Sequence, residues 1–232
     1  MPLIPTTEAS LYRLLAWLSP GFPIGAFSYS HGLEAAVESG QVADRRSLET
    51  WVVAIVTQGG GRVDADILRE AHRAAAAGDV AALVAVNRHG LAFRGAAELA
   101  LEASSQGDAF LAACRLAWSV PLLDCWAAAL DGEPASHAAA FGAAAGATGI
   151  PLPAALAGYL QAMAANLISA GLRLGVIGQT DGQRILAALE PMVVRAAAEA
   201  LDRSESEFGS ASVLADLAAI AHETQRTRLF RS

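Results

Sequence analysis

Lysine is missing from the 232 residues; all sixteen basic residues are arginine. That absence excludes a P-loop grip on a nucleotide phosphate and any Schiff base with a substrate or pyridoxal cofactor. A net charge of −7 and a pI near 5.2 argue against nucleic-acid binding, which depends on neutralising phosphates. Cysteine is scarce: Cys114 and Cys125 offer neither a zinc spacing nor a disulfide framework, and both read as small core residues. An unbroken apolar run is also lacking. The uncharged stretch 138–172 is interrupted by Gly142, Gly146, Gly149, Pro151 and Pro153, so it reads as two buried helices rather than a membrane span. The start of the chain lacks a basic segment followed by an apolar run, and a reducing, cytoplasmic setting is expected.

What is present is alanine and helical spacing. The chain is 54% hydrophobic with a mean hydropathy of +0.38, much of it alanine, the best helix former. Leu11, Leu14, Leu15 and Leu18 form a first stripe, and Leu48, Trp51, Val52, Ile55 and Val56 a second. Gly59-Gly60-Gly61 ends that second helix, with Asp64 as a cap for the next. Further helices are expected near 80–91, 94–105, 108–119 and 121–130, then from Ser136, then through Leu156 to Leu174. Thr180-Asp-Gly-Gln183 has the form of a capping box, and Pro191 should kink or interrupt the helix it starts. No segment alternates with period two. The reading is an all-α fold of about ten helices: one domain over 1–210, then a helix and tail over 211–232. Val213, Leu214, Leu217, Ile220 and Ala221 mark that last helix.

The stretch from Leu18 to Glu34 is a stiff loop. Pro20 and Pro23 fix φ, while Gly21 and Gly25 permit turns that other residues resist. Phe22, Phe27 and Tyr29 are not needed to turn the chain, so they either pack into a core or present a surface. At the other end, the tail carries Arg226, Arg228 and Arg231 around the apolar pair Leu229-Phe230. It is either a frayed end or a partner-binding segment that orders on docking, and the second reading is preferred.

No catalytic site emerges. His31, His72, His89, His137 and His222 stand in no recognised ligand spacing, which leaves only a metal site assembled across a symmetric dimer. Ser28 and Ser30 precede His31, but sequence neighbours seldom form a triad and no Gly-x-Ser-x-Gly elbow exists. Glu34 and Glu38 are a like-charge i, i+4 pair of the kind found on a solvated face. Asn166 and Arg173 share a helix face, as a buried polar network or as a binding surface. Gln179 and Gln183 are not required by the helix start they flank.

Three segments together resemble the UreF family of urease accessory proteins. The first is Ser19-Pro20…Pro23-x-Gly25-x-Phe27-Ser28-x-Ser30-x-Gly32-Leu33-Glu34. The second is Asn166-Leu-x-Ser169, leading through Arg173 to Gly178-Gln-Thr-Asp-Gly-Gln183. The third is His222-Glu-Thr-Gln-x-Thr-Arg-Leu-Phe-Arg-Ser232. The middle departs from the family pattern at Ala97-Glu-Leu-Ala100 and Ser105-Gln-Gly107.

The resemblance implies an all-helical, non-enzymatic scaffold that tends to dimerise. It would bind a UreD/UreH-type accessory protein and recruit the UreG GTPase, the complex delivering nickel to apo-urease. No cofactor is implied for the chain itself. The tail residues Glu223, Thr224, Gln225, Arg228, Leu229, Phe230, Arg231 and Ser232 are the expected contact with the UreD-type partner. Ser19, Pro20, Pro23, Gly25, Phe27, Ser28, Ser30, Gly32, Glu34, Arg173, Gln179 and Gln183 are expected to face the GTPase or the dimer, or to be a structural loop. Two rival readings are a regulator of the UreG GTPase, supplying an arginine or ordering a switch loop, and a helical enzyme with an unrecognised pocket.

Overall fold

The computed structural model describes residues 7–232; residues 1–6, on which the absence of a leader pattern partly rests, lie outside them. Eleven α-helices follow one another among the described residues. They are α1 (Glu8–Trp17), α2 (Leu33–Glu38), α3 (Arg45–Gln58), α4 (Gly60–Ala76), α5 (Val80–Ala92), α6 (Ala97–Trp118), α7 (Pro121–Ala129), α8 (His137–Ala147), α9 (Leu152–Arg173), α10 (Gln179–Asp202) and α11 (Val213–His222). Single 3₁₀ turns lie at Ala26–Ser28 and Glu205–Glu207, and no strand occurs among the described residues. The chain is all-α.

The centre is α8, in which Ala138 through Gly146 are all buried. A helix without a polar face must be surrounded, and α4, α6 and α9 close around it. Glycines set how near α4 comes. A Cβ on Gly142 would lie 2.5 Å from the Leu68 carbonyl oxygen, and one on Gly146 would overlap the His72 carbonyl. Trp17, Phe110 and Phe141 then tie α1 and α6 to α8 by edge-to-face contacts of 5.7–6.4 Å. The uncharged stretch 138–172 thus forms two packed helices. α9 is long and apolar enough to cross a membrane, yet half of its most apolar window is buried against its neighbours.

Several local expectations fail, each for a packing reason. The two helices expected over 94–105 and 108–119 are one, α6, because Gly107 is a close-approach residue rather than a break: a Cβ there would overlap the Ala135 carbonyl. Asp64 caps nothing. Gly59 ends α3 and starts α4, which places Asp64 inside α4, buried against Arg94. Thr180 forms no capping box, since α10 begins at Gln179 with Gly178 at its N-cap. Pro191 does not interrupt α10. Both Pro191 and Ala187, whose carbonyl loses its partner, are exposed, so water can take that bond. In α1, Leu14 is buried with Trp17, while Leu11 and Leu15 face outward. Cys114 is a core residue, but Cys125 is exposed.

Candidate functional site

The N-terminal loop is shaped by two left-handed turns. Gly25, at φ 72°, opens the 3₁₀ turn; His31, at φ 56°, and Gly32, at φ 78°, lead into α2. Glycine is required at 32 for a second reason: a Cβ there would lie 2.8 Å from the Ala219 backbone nitrogen in α11. The aromatics divide. Phe22 packs on Phe110 and Trp118, Tyr29 is buried, and Phe27 is 67% exposed. Ser19, Pro20, Pro23 and Gly25 are exposed, whereas Ser30, Gly32 and Glu34 are buried.

The tail lies in this loop rather than projecting from the body. Arg231 N–H donates to the Ser28 carbonyl at 2.8 Å, and Ser30 N–H donates to the Ser232 carbonyl at 2.7 Å. The Glu34 carboxylate accepts the backbone N–H groups of Leu229 at 2.7 Å and Phe230 at 2.9 Å. Glu34 is therefore not the solvated partner of Glu38; it is the buried receptor of the tail. Phe230 and Ser232 are buried beneath it. The tail packs against the body of its own chain through these bonds.

The third segment joins at α9. The Arg173 guanidinium lies 3.8 Å from the Phe27 ring centroid and 4.3 Å from that of Phe230, and it donates to the Ser169 and Phe27 carbonyls. Asn166 Nδ2 donates to the Tyr29 carbonyl at 3.4 Å. Three stretches far apart in sequence thus form one structure. Gln179 and Gln183 stay outside it, exposed on the first turns of α10, and Gln183 borders a groove between α9 and α10.

Beneath the tail lies a set of charges that sequence reasoning missed. His222 is fully buried, with Nδ1 at 2.6 Å from Glu98 Oε2 and Nε2 at 3.0 Å from Glu34 Oε2. Arg228 pairs with Glu98 at 2.5 Å, and Ser232 Oγ donates to Glu102 at 2.7 Å. His31 Nδ1 lies 3.5 Å from the same Glu102. Burial pushes His31 down, but the charge and hydrogen bond of Glu102 outweigh it and raise its pKa above 6.5. Burial likewise pushes Glu102 up, and His31 with Ser232 reverses that to a net lowering. The available clue was the i, i+4 spacing of Glu98 and Glu102, which puts both on one face of α6.

Deeper in, a cavity of about 280 Å³ runs from the loop to Asp64, Arg94, His137 and Tyr159. Arg94 pairs with Asp64 at 2.5 Å, and Tyr159 OH donates to the other Asp64 oxygen at 3.0 Å. Burial pushes His137 down to about 4 and Tyr159 well above 10, so both are neutral near pH 7. Asp64 is held by its partners, and Ser30 Oγ donates to the Ser232 carbonyl instead of meeting His31. Tyr159 OH also lies 3.3 Å from His137 Nδ1. Among the described residues no group of three His, Cys, Asp or Glu side chains is arranged to hold a metal ion.

The surface beside this assembly is apolar. The inner face of α11 is Ala215, Ala218, Ala219 and His222, while Val213, Leu214, Leu217 and Ile220 are 46–66% exposed. The helix expected from its stripe forms, but with that stripe turned outward. Small residues fit it against α2 and α6, and His222 reaches the glutamates only in this orientation. Leu229, Arg226 and Arg231 are exposed on the adjoining tail.

The UreF family profile matches residues 42–190. Full-length similarity extends further. The urease accessory protein UreF of Rhodopseudomonas palustris (strain BisB5) is 49% identical over 231 residues, covering 100% of this chain and 95% of that protein. That of Granulibacter bethesdensis is 48% identical over 231 residues, covering 100% of the chain and 98% of the relative. That of Xanthobacter autotrophicus is 49% identical over 223 residues, covering 96% and 91%.

Proposed function

Since the chain belongs to the UreF family of urease accessory proteins, we propose that it is a non-enzymatic scaffold of urease maturation. In this reading it binds a UreD/UreH-type accessory protein, recruits the UreG GTPase and serves nickel insertion into apo-urease, with nickel as cargo of the complex. A homodimer is part of the same reading. The carrying observation is the outward apolar face of α11. A helix that exposes Val213, Leu214, Leu217 and Ile220 while burying alanine is built for a second surface. Arg226 and Arg231 border it and favour a partner whose apolar face is rimmed by carboxylates.

The expected tail contacts then divide into two roles. Leu229, Arg231 and Thr224 are exposed and available to the UreD-type partner. Phe230, Ser232 and Arg228 hold the tail down and present the others. Glu223 accepts from Ala97 N–H at 2.8 Å, and Gln225 donates to the Thr227 carbonyl, so both shape the turn after α11. The exposed loop residues around Phe27 and the Gln179–Gln183 turn are the surfaces left for the GTPase.

Co-purification of full-length chain with its cognate UreD-type and UreG proteins tests the scaffold. The informative variant is Leu214→Glu with Leu217→Glu, which charges the α11 face without touching the tail's bonds. Loss of the UreD-type partner from a protein of unchanged circular dichroism supports this docking face. Retention of the partner by the double variant moves the face elsewhere, and binding of neither protein by the unaltered chain sinks the scaffold reading.

A further inference from the structure

We propose that the cavity beneath the N-terminal loop is a binding site for a small, neutral, planar molecule that carries an amide edge. The site is formed by this chain alone and is independent of the scaffold reading.

Size and walls define the body of the ligand. At about 280 Å³ the space is nearly twice that of a core cavity of about 150 Å³ that accepts benzene. Phe22, Leu99, Met163 and Leu167 line it. An apolar wall with a few fixed polar groups is the usual make-up of a small-molecule site. The ionisable groups at its deep end are matched. Arg94 pairs with Asp64, and His31 with Glu102, which also accepts from Gln106 Nε2 and the Ser232 hydroxyl. An ionised ligand would bring an unmatched charge into this interior, so the floor favours a neutral one.

Two ring nitrogens define the polar edge. Trp17 is 1% exposed and lines the cavity, yet its indole N–H meets no acceptor. A buried donor in that state is costly, and a ligand carbonyl oxygen would relieve it. The second nitrogen is on His137. Tyr159 OH gives its proton to Asp64, so the phenol oxygen faces His137 Nδ1 at 3.3 Å as an acceptor. The neutral ring therefore carries its proton on Nδ1 and a lone pair on Nε2. No protein group among the described residues meets that lone pair. Both rings pack on Phe110, at 5.9 and 5.8 Å between centroids, which puts donor and acceptor within reach of one small molecule. An amide offers the complementary pair, its carbonyl to Trp17 and its N–H to His137. Water can serve the same nitrogens but gains nothing from the apolar walls.

Benzamide titrated into the isotope-labelled full chain near neutral pH tests the site, read by NMR of the indole N–H groups. The Trp17 signal is identified by its nuclear Overhauser contacts with the Phe110 ring. Benzamide should bind saturably, with a Kd of about 1 mM or below, and move the Trp17 resonance more than those of Trp51, Trp118 and Trp126. Benzoate is charged and toluene lacks the amide, so each should bind at least about tenfold more weakly. Ala162 is a partly exposed lining residue, and Ala162→Trp should block the space and abolish binding in a protein of unchanged circular dichroism. Should that variant fail to fold, the ranking of the three compounds on the unaltered chain decides. Absence of saturable benzamide binding means that the cavity holds only water and overturns the proposal. Benzoate or toluene binding as tightly as benzamide overturns it too, as does benzamide binding that survives in a folded Ala162→Trp chain. Capture of the UreD-type partner is a separate readout, so failure of the scaffold leaves this result standing.

Discussion

Arg173 lies between two rings that belong to opposite ends of the chain, 3.8 Å from the Phe27 centroid and 4.3 Å from that of Phe230. One cation from α9 thereby joins an N-terminal loop to a C-terminal tail. A planar guanidinium can stack on both faces while donating in its own plane, which an ammonium cannot do.

Arg173→Lys should therefore behave nearly as poorly as Arg173→Ala. Each is expected to cost about 1–2 kcal/mol of stability and to loosen the tail. Urea unfolding gives the first effect, and the rate of tryptic cleavage after Arg226 and Arg228 gives the second. A lysine variant as stable and protected as the parent would show that the stack is incidental.

The approach of α4 to α8 depends on glycine. Gly142→Val and Gly146→Val should yield insoluble or molten protein, because backbone oxygens occupy the space a side chain needs. Gly25→Ala meets no neighbouring atom and carries only the strain of a left-handed φ, about 1 kcal/mol. Thermal melts of the three variants should separate them clearly.

Asp64 and Arg94 form a buried pair at 2.5 Å, each about 5% exposed. Removing one partner strands the other charge. Asp64→Asn is expected to cost about 3–5 kcal/mol, while Tyr159→Phe, which removes one donor to Asp64, should cost about 1–2 kcal/mol. Equal, small losses in denaturant midpoints would contradict this ranking.

His137 makes stability depend on pH through its burial. Burial pushes it from 6.5 down to about 4, so between those values the unfolded chain binds the proton and the folded chain does not. Stability is thus lost as pH falls below 6.5, by at most about 1.4 kcal/mol per unit from this group. His137→Gln should flatten that portion of the stability–pH curve measured from pH 7 to pH 4.5. An unchanged slope would place the acid sensitivity elsewhere.

Periodicity and composition determined the helices, because local spacing of apolar residues is a property of the chain itself. They also excluded lysine-dependent chemistry, and three separated segments were enough to indicate the family. The separation expected between 105 and 108 and the cap expected at Asp64 do not form, because the roles of Gly107 and Asp64 depend on what another helix places beside them. The same holds for orientation. The stripe of α11 gave a helix, but which side faces inward was decided by His222 finding Glu34 and Glu98, residues more than a hundred positions away. Glu34 looked solvated beside Glu38 until the tail folded over it. Ion pairs and tail docking of this kind carry no periodic signal; they exist only when distant segments meet, and tertiary structure alone decided them.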